Sequence, residues 1–184
     1  IKNAMDSLSW AEASSVNTAD AYKAYIDNIN LGYFTGNYQP LAQERYDYLS
    51  QLKTLDGDEL KAVRKLIDDM FKSLSSRKYK DIKSAMAPVL NNFYGSKNVP
   101  SEALTSMLET KIKQQQIKDI IYTPDTDSSE IILDNRGIYF TDLPVARQII
   151  YKDRKKKKEN TVHNIHLELD KNKKVIALYE NSKE

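Results

Sequence analysis

The chain of 184 residues contains no cysteine. Disulfides, thiolate metal ligands and a cysteine nucleophile are therefore all excluded. It has two histidines and one tryptophan, so a metal centre built on several imidazoles is out of reach. A surplus of charge is missing as well: 28 basic residues face 26 acidic ones, for a net charge of +2, too little to point to a polyanionic partner. No stretch approaches the roughly 20 apolar residues that span a bilayer, and no signal peptide is visible. The chain opens on Ile1 and not on methionine, so the expectation is that a segment precedes it. The compartment is left open between cytoplasm and cell envelope or periplasm. No glycine-rich phosphate loop, nucleophile elbow or clustered metal-ligand motif occurs. Nothing hints at haem, flavin or nicotinamide, and no cofactor is expected.

What is present is a globular composition, 40% hydrophobic and 29% charged, with twelve tyrosines. The chain divides at about residue 54 into a helical segment (1–54) and an α+β segment (55–184). In the first, Ala11, Ala13, Ala19, Ala21 and Ala24 favour helix. One helix is expected over Met5 to Ser14. A second is capped by Asn17 or Thr18, with Ala21, Tyr22, Tyr25, Ile26 and Ile29 on one face. After a break at Gly32 and Gly36, a third begins near Pro40 and presents Leu41, Arg45, Tyr48, Leu49 and Leu52. Trp10, Ala13, Asn17, Thr18, Ala21, Tyr22, Tyr25, Ile26, Gly36 and Ala42 together resemble a tetratricopeptide-like fragment. Only one copy is present, whereas repeat folds bury a continuous core by stacking about three. For these aromatics, helix packing is the plain reading and a peptide-binding groove the functional one.

In the second segment, Asp56 and Glu59 have capping-box spacing. Leu60, Val63, Ile67, Met70 and Leu74 follow at steps of three and four, with Leu66 and Phe71 widening the stripe. A short helix with Tyr79, Ile82 and Met86 stops before Pro88. An extended piece from Val89 to Tyr94 ends at Gly95, and a third helix opens at Pro100 and Ser101. The period then changes to two. Strands are expected over Ile117 to Tyr122, Glu130 to Leu133, Val145 to Arg154, Thr161 to Leu169 and Lys174 to Tyr179, the last pair joined by a tight turn. Helices first and strands afterwards give an α+β class: three helices packed on a curved antiparallel sheet. The order of elements, with the runs Gly137-Ile138-Tyr139-Phe140, Leu143-Pro144-Val145, Asn164-Ile165-His166-Leu167 and Ala177-Leu178-Tyr179, resembles the NTF2-like (SnoaL/ketosteroid-isomerase-like, cystatin-like) superfamily. The resemblance implies a conical cavity, used in that superfamily for catalysis, for small-molecule binding or as a filled core of an interaction domain. It also implies pairing of two copies through the open sheet.

The candidate chemistry is sparse. His163 and His166 lie three apart on a strand and so point to opposite faces. His163 is in phase with Ile165, Leu167 and Leu169; His166 is in phase with Asn164 and Glu168. Asp119 lies between Ile117 and Ile121 in strand phase, and burial there would raise its pKa and make it a candidate base. Asp119, Tyr139, Tyr151 and His166 are the pocket candidates, and no catalytic residue is assigned. Lys155, Lys156, Lys157 and Lys158 form a hairpin tip that a phosphate or another anion can meet. The tip lacks interleaved aromatics for base stacking, so a nucleic-acid partner is not expected. The resulting expectation is a non-enzymatic module of a larger bacterial protein that binds a protein partner or senses a small ligand. The alternative is an isomerase or dehydratase working through a cavity carboxylate or histidine.

Overall fold

In the computed structural model, which describes residues 1–181, the chain forms two compact units, Ile1–Lys53 and Thr54 onwards. The first holds helices α1 (Lys2–Val16), α2 (Ala19–Asn30) and α3 (Gln39–Ser50). α1 ends at Asn17, which takes the left-handed conformation; the side chain of the next residue, Thr18, caps α2 through the Ala21 N–H. Tyr22, Tyr25 and Ile26 of α2 are buried with Ala13 and Ala42, and Trp10 and Tyr38 pack on them, their rings stacked 5.3 Å apart. The inward stripe of α3 is Ala42, with Tyr46 and Leu49 beside it. Leu41 and Arg45, expected inward, are exposed. The small side chain of Ala42 lets the helix approach an aromatic-rich core that Leu41 would overfill.

This unit also buries a carboxylate that the sequence did not flag. Asp6 is fully buried. It accepts hydrogen bonds from the Tyr25 hydroxyl (2.6 Å), the Thr35 hydroxyl (2.8 Å) and the Asn37 N–H (2.9 Å). Burial pushes its pKa up, but the donors from Tyr25, Asn37 and Thr35 outweigh it and hold the carboxyl below its ordinary value. The connection between α2 and α3 is thereby tied to α1.

The second unit contains α4 (Gly57–Ser76), α5 (Tyr79–Ala85) and α6 (Leu104–Gln114). A two-residue strand, β1 (Lys53–Thr54), precedes them, and seven others follow: β2 (Val89–Phe93), β3 (Ser96–Pro100), β4 (Ile117–Pro124), β5 (Ile132–Leu133), β6 (Tyr139–Tyr151), β7 (Glu159–Leu169) and β8 (Val175–Glu180). α4 buries Val63, Ile67, Met70, Phe71 and Leu74, the expected stripe, while Leu66 stays exposed. Asp56 is the N-cap residue but makes no side-chain cap bond, because Gly57 turns into the helix with a left-handed φ of 56°. The expected capping partner, Glu59, instead accepts a hydrogen bond from Tyr139.

The sheet runs β5-β6-β7-β8-β2-β3, with β4 also paired to β6. It is antiparallel except where β2 runs parallel to β8. Leu143, Val145, Ile165, Leu167 and Leu178 on its inner face meet α4 in one aliphatic core. Two features were not expected. β2 and β3 form a hairpin through Tyr94 and Gly95, both at positive φ, the geometry of a primed two-residue turn. β6 begins at Tyr139, six residues before the expected start, and passes through Pro144. The Pro144 carbonyl accepts from the Asp125 N–H, so its nitrogen faces the same edge, where β4 and β5 leave a gap. A missing N–H there costs no bond to β7.

Candidate functional site

Side chains from four strands and a turn converge on the inner face at one end of the sheet. Tyr122 on β4 is in register with Arg147 on β6, and Val145 with His163 on β7. Tyr94 reaches in from the β2–β3 turn, and together with Glu180 these residues line one small hollow. The alternation of β4, β6 and β7 puts them on one face. Tyr94 is held at φ 48°, a conformation uncommon for a residue other than glycine and frequent at functional sites. The Tyr94 and Tyr122 side chains both line this hollow. Burial raises the pKa of both phenols, and the neighbouring Arg147 guanidinium acts in the opposite sense. Both therefore stay protonated at neutral pH, able to donate hydrogen bonds.

Arg147 joins the hollow to its surroundings. Its Nε is buried and has no hydrogen-bond partner among the described residues. Glu159 Oε1 lies 3.9 Å from Nη2, beyond hydrogen-bond length. On one side of Arg147 is an enclosed cavity of about 40 Å³ with Leu74, Leu108, Ile112, Ile117, Ile120 and Ile149 in its walls. That is room for water or for a few carbon atoms. Tyr79 also borders it, its hydroxyl bonded to Glu109 and its pKa pushed up to about 12 by burial and by that carboxylate. On the other side an open cleft of about 410 Å³ is lined by Lys111, Gln115, Tyr151, Lys156 and Glu159 among others.

The expected site residues separate. Tyr151 and Lys156 line the cleft, with the Lys156 ammonium 3.4 Å from the Tyr151 ring centroid. The Tyr151 hydroxyl donates to Glu159 at 2.6 Å. Tyr139 is buried near the start of β6, its hydroxyl bonded to Glu59, and does not reach the cleft. Asp119 is exposed, contrary to the expected phase. A β-bulge between Ile117 and Asp119 shifts the register, so that Ile117 and Ile120 are buried and Ile121 faces out. Lys155, Lys157 and Lys158 lie exposed in the β6–β7 turn, away from the cavity walls.

The histidines take opposite faces, as the alternation predicts. His163 is inward, bonded to Glu180 through Nδ1 and to Thr161 through Nε2, each at 2.8 Å. His166 is on the outer face, with Nδ1 2.8 Å from Asp142 and Nε2 3.1 Å from Glu168, and its ring lies against Tyr179. Hydrogen bonding to Glu168 and Asp142 raises its pKa against the lowering effect of burial. Arg147, Tyr94 and Tyr122 were missed by sequence reasoning. Arg147 carried a usable signal, being the one charged residue in phase with Leu143, Val145 and Ile149.

A groove of about 490 Å³ lies between α4, α5 and the β7–β8 turn. Its charges are mixed: Lys72, Lys78, Lys173 and Lys174 face Asp69 and Asp81. Among the described residues no cluster of His, Asp or Glu is arranged to hold a metal, and no helix is long and apolar enough to cross a membrane.

Among solved structures, the chain is similar to Aln2 from a Streptomyces species, with 8% identity over 69% of this chain and 93% of that one (TM-score 0.56). A protein named after scytalone dehydratase, from Novosphingobium aromaticivorans, is 10% identical over 68% of this chain and 85% of its own (TM-score 0.52). One named after the calcium/calmodulin dependent protein kinase II association domain, from Xanthomonas campestris, is 14% identical over 70% and 89% (TM-score 0.51). The second unit has the NTF2-like fold. No protein-family model and no curated protein matches the chain. At these identities the likeness concerns the fold, and the NTF2-like cone is a scaffold for unrelated activities.

Proposed function

We propose that the NTF2-like unit is a non-catalytic binding module that takes a small molecule at the Arg147 end of its cone, within a larger bacterial protein. The observation that carries this is the unpartnered Arg147 Nε beside two protonated phenols, where a largely apolar cavity and a cleft share Arg147 as a wall. A buried donor without an acceptor costs stability, and a bound ligand supplies the acceptor. The interior itself is nearly filled. Its carboxylates are engaged too, Glu180 by His163 and Glu159 by Tyr151, which leaves no free base over a substrate-sized space. The test is a fragment screen by ligand-observed NMR on the whole chain, repeated with Ile112→Trp, which fills the enclosed cavity. Binders displaced by that substitution are expected; a screen with none removes the reading.

A specific observation favours a second reading, an isomerase or dehydratase. His163, paired with Glu180, lines the same hollow as Tyr94 and Tyr122, which brings a proton acceptor near two oxyanion-stabilising hydroxyls. Deuterium uptake at the α-carbon of a bound ketone, lost in His163→Ala with binding retained, would select this reading.

A homodimer through the outer sheet face belongs to the same proposal. Ile121 and Val162 are exposed there, beside Ala146. Val162→Asp is expected to shift the sedimentation coefficient to that of a monomer. A wild-type chain already monomeric at high concentration removes the dimer.

A further inference from the structure

From the arrangement around Arg147 we infer that the ligand is a small organic monocarboxylate: its carboxylate bound by Arg147 in the cleft and its short apolar body directed into the cavity behind. The inference rests on the binding reading above and names its ligand class.

Three features of the cleft select the anion. First, the edge of Arg147 that bears Nε–H and Nη2–H is closed by no hydrogen bond among the described residues, Glu159 lying beyond that range. With Nε unpartnered and Nη2 3.9 Å from Glu159, Nε–H and an Nη–H form a planar two-donor fork. Its spacing matches the two oxygens of a carboxylate better than a single point acceptor. Second, the surrounding charge is positive. Lys111 at the end of α6 and Lys156 from the β6–β7 turn line the cleft with Arg147, against Glu159 alone. Glu159 already accepts from Tyr151 at 2.6 Å. Lys156 is fixed over the Tyr151 ring at 3.4 Å and Lys111 lies over the Tyr94 ring at 5.4 Å, so both cations are held at the rim by aromatic faces. Third, what lies behind the fork is mostly aliphatic and small. Leu108, Ile112, Ile120 and Ile149 wall a cavity of about 40 Å³, with Arg77, Lys111 and Gln115 also on its lining, and its size admits no more than a slender chain end. A neutral hydrocarbon would leave the Arg147 donors unanswered.

The experiment compares hexanoate with hexanamide, which has nearly the same shape and no charge, by isothermal titration of the whole chain. Hexanoate is expected to bind at least tenfold more tightly than hexanamide. Arg147→Met is expected to remove that preference, lowering hexanoate affinity by more than hexanamide affinity. Lys156→Ser alters an exposed turn and leaves the core alone; it is expected to weaken hexanoate two- to threefold and to reduce the salt dependence of binding. Equal affinity for acid and amide, or a preference untouched by Arg147→Met, overturns the carboxylate assignment and leaves the binding reading standing. Failure of both probes to bind, with Ile112→Trp also indifferent in the fragment screen, overturns both. If Arg147→Met does not fold, the Lys156→Ser result decides, and a hexanoate affinity unchanged by it overturns the assignment.

Discussion

Two charged groups, one in each unit, are treated in opposite ways: Asp6 is fully buried, and the Arg147 side chain is 23% exposed with its Nε buried. In the helical unit Asp6 has every near position answered: a phenol, a hydroxyl and a backbone N–H, all within 2.9 Å. In the NTF2-like unit Arg147 Nε has no partner, and the nearest carboxylate lies at 3.9 Å. Taking a charge out of water is costly unless hydrogen bonds replace the water. A fully satisfied charge is thus part of the architecture: it fixes the α2–α3 connection against α1. An unsatisfied one is a cost that a ligand can remove. The difference separates structure from function inside one chain, where composition and net charge do not.

The comparison can be broken most directly at Asp6. Asp6→Ala strands the buried Tyr25 hydroxyl and removes the acceptor of the Thr35 hydroxyl and Asn37 N–H, which belong to exposed residues, and is expected to destabilise the helical unit by about 2 kcal/mol. The tryptophan count makes this measurable, because Trp10 is the only one and packs in that unit's core. Denaturant titration followed by Trp10 fluorescence reports on it alone. A change below about 0.5 kcal/mol would show that the hydrogen-bonded cluster is incidental.

The same cluster gives a smaller effect with pH. Asp6 has its folded pKa depressed below 3.8, so the unfolded chain binds the proton more readily. Its contribution to stability is complete above the unfolded value and is lost as pH falls from there through the depressed folded value. The Trp10 transition is expected to weaken as pH drops below about 4, and Asp6→Asn should flatten that dependence. Equal acid sensitivity in wild type and variant would contradict the assignment.

His166 has the opposite sign. Flanked by Glu168 and Asp142, its folded pKa is raised above 6.5, so the imidazolium stabilises the NTF2-like unit below that value and the contribution fades as pH rises through the folded pKa. Far-ultraviolet circular dichroism melts are expected to lose a modest increment of Tm from pH 6 to pH 8. His166→Gln, which keeps a hydrogen-bonding side chain and removes the titration, should make that part of the profile flat. Persistence of the slope in the variant would place its origin elsewhere.

How much of this was legible in the sequence depends on the range of the interaction. The α4 stripe, the strands β7 and β8 and the opposed histidines follow from a period of 3.6 or 2 and were read directly. Asp119 was misread because one extra residue at a bulge inverts the phase of all that follow, and no local pattern announces it. Pro144 hid the first half of β6, because the gap that tolerates it is made by β4 and β5, which join β6 from different parts of the chain. The Tyr94–Gly95 turn was read as the end of a strand when it is the middle of a hairpin. Tyr94, Tyr122 and Arg147 come together only through pairing across some 50 residues of chain, which no single stretch encodes. The buried Asp6 was silent for the same reason: its donors lie 19, 29 and 31 residues away.

The sharpest form of the comparison is the substitution with the smallest expected effect. Arg147→Met replaces the partly buried guanidinium by an apolar side chain of similar reach. It gives up only a long-range attraction to Glu159, whose side chain is 43% exposed and stays solvated. Asp6→Ala removes the acceptor of three donors; Arg147→Met strands none and returns the desolvation cost of Nε. Thermal unfolding of the NTF2-like unit is therefore expected to shift by no more than about 1 kcal/mol, toward greater stability if at all. A loss of 2 kcal/mol or more would mean that Arg147 supports the fold as Asp6 does, and the contrast between a satisfied and an unsatisfied charge would no longer mark the binding site. A neutral result, beside a larger loss at Asp6, would show that the NTF2-like unit retains a partly buried cation it does not need for folding, which is the condition a ligand-binding residue has to meet.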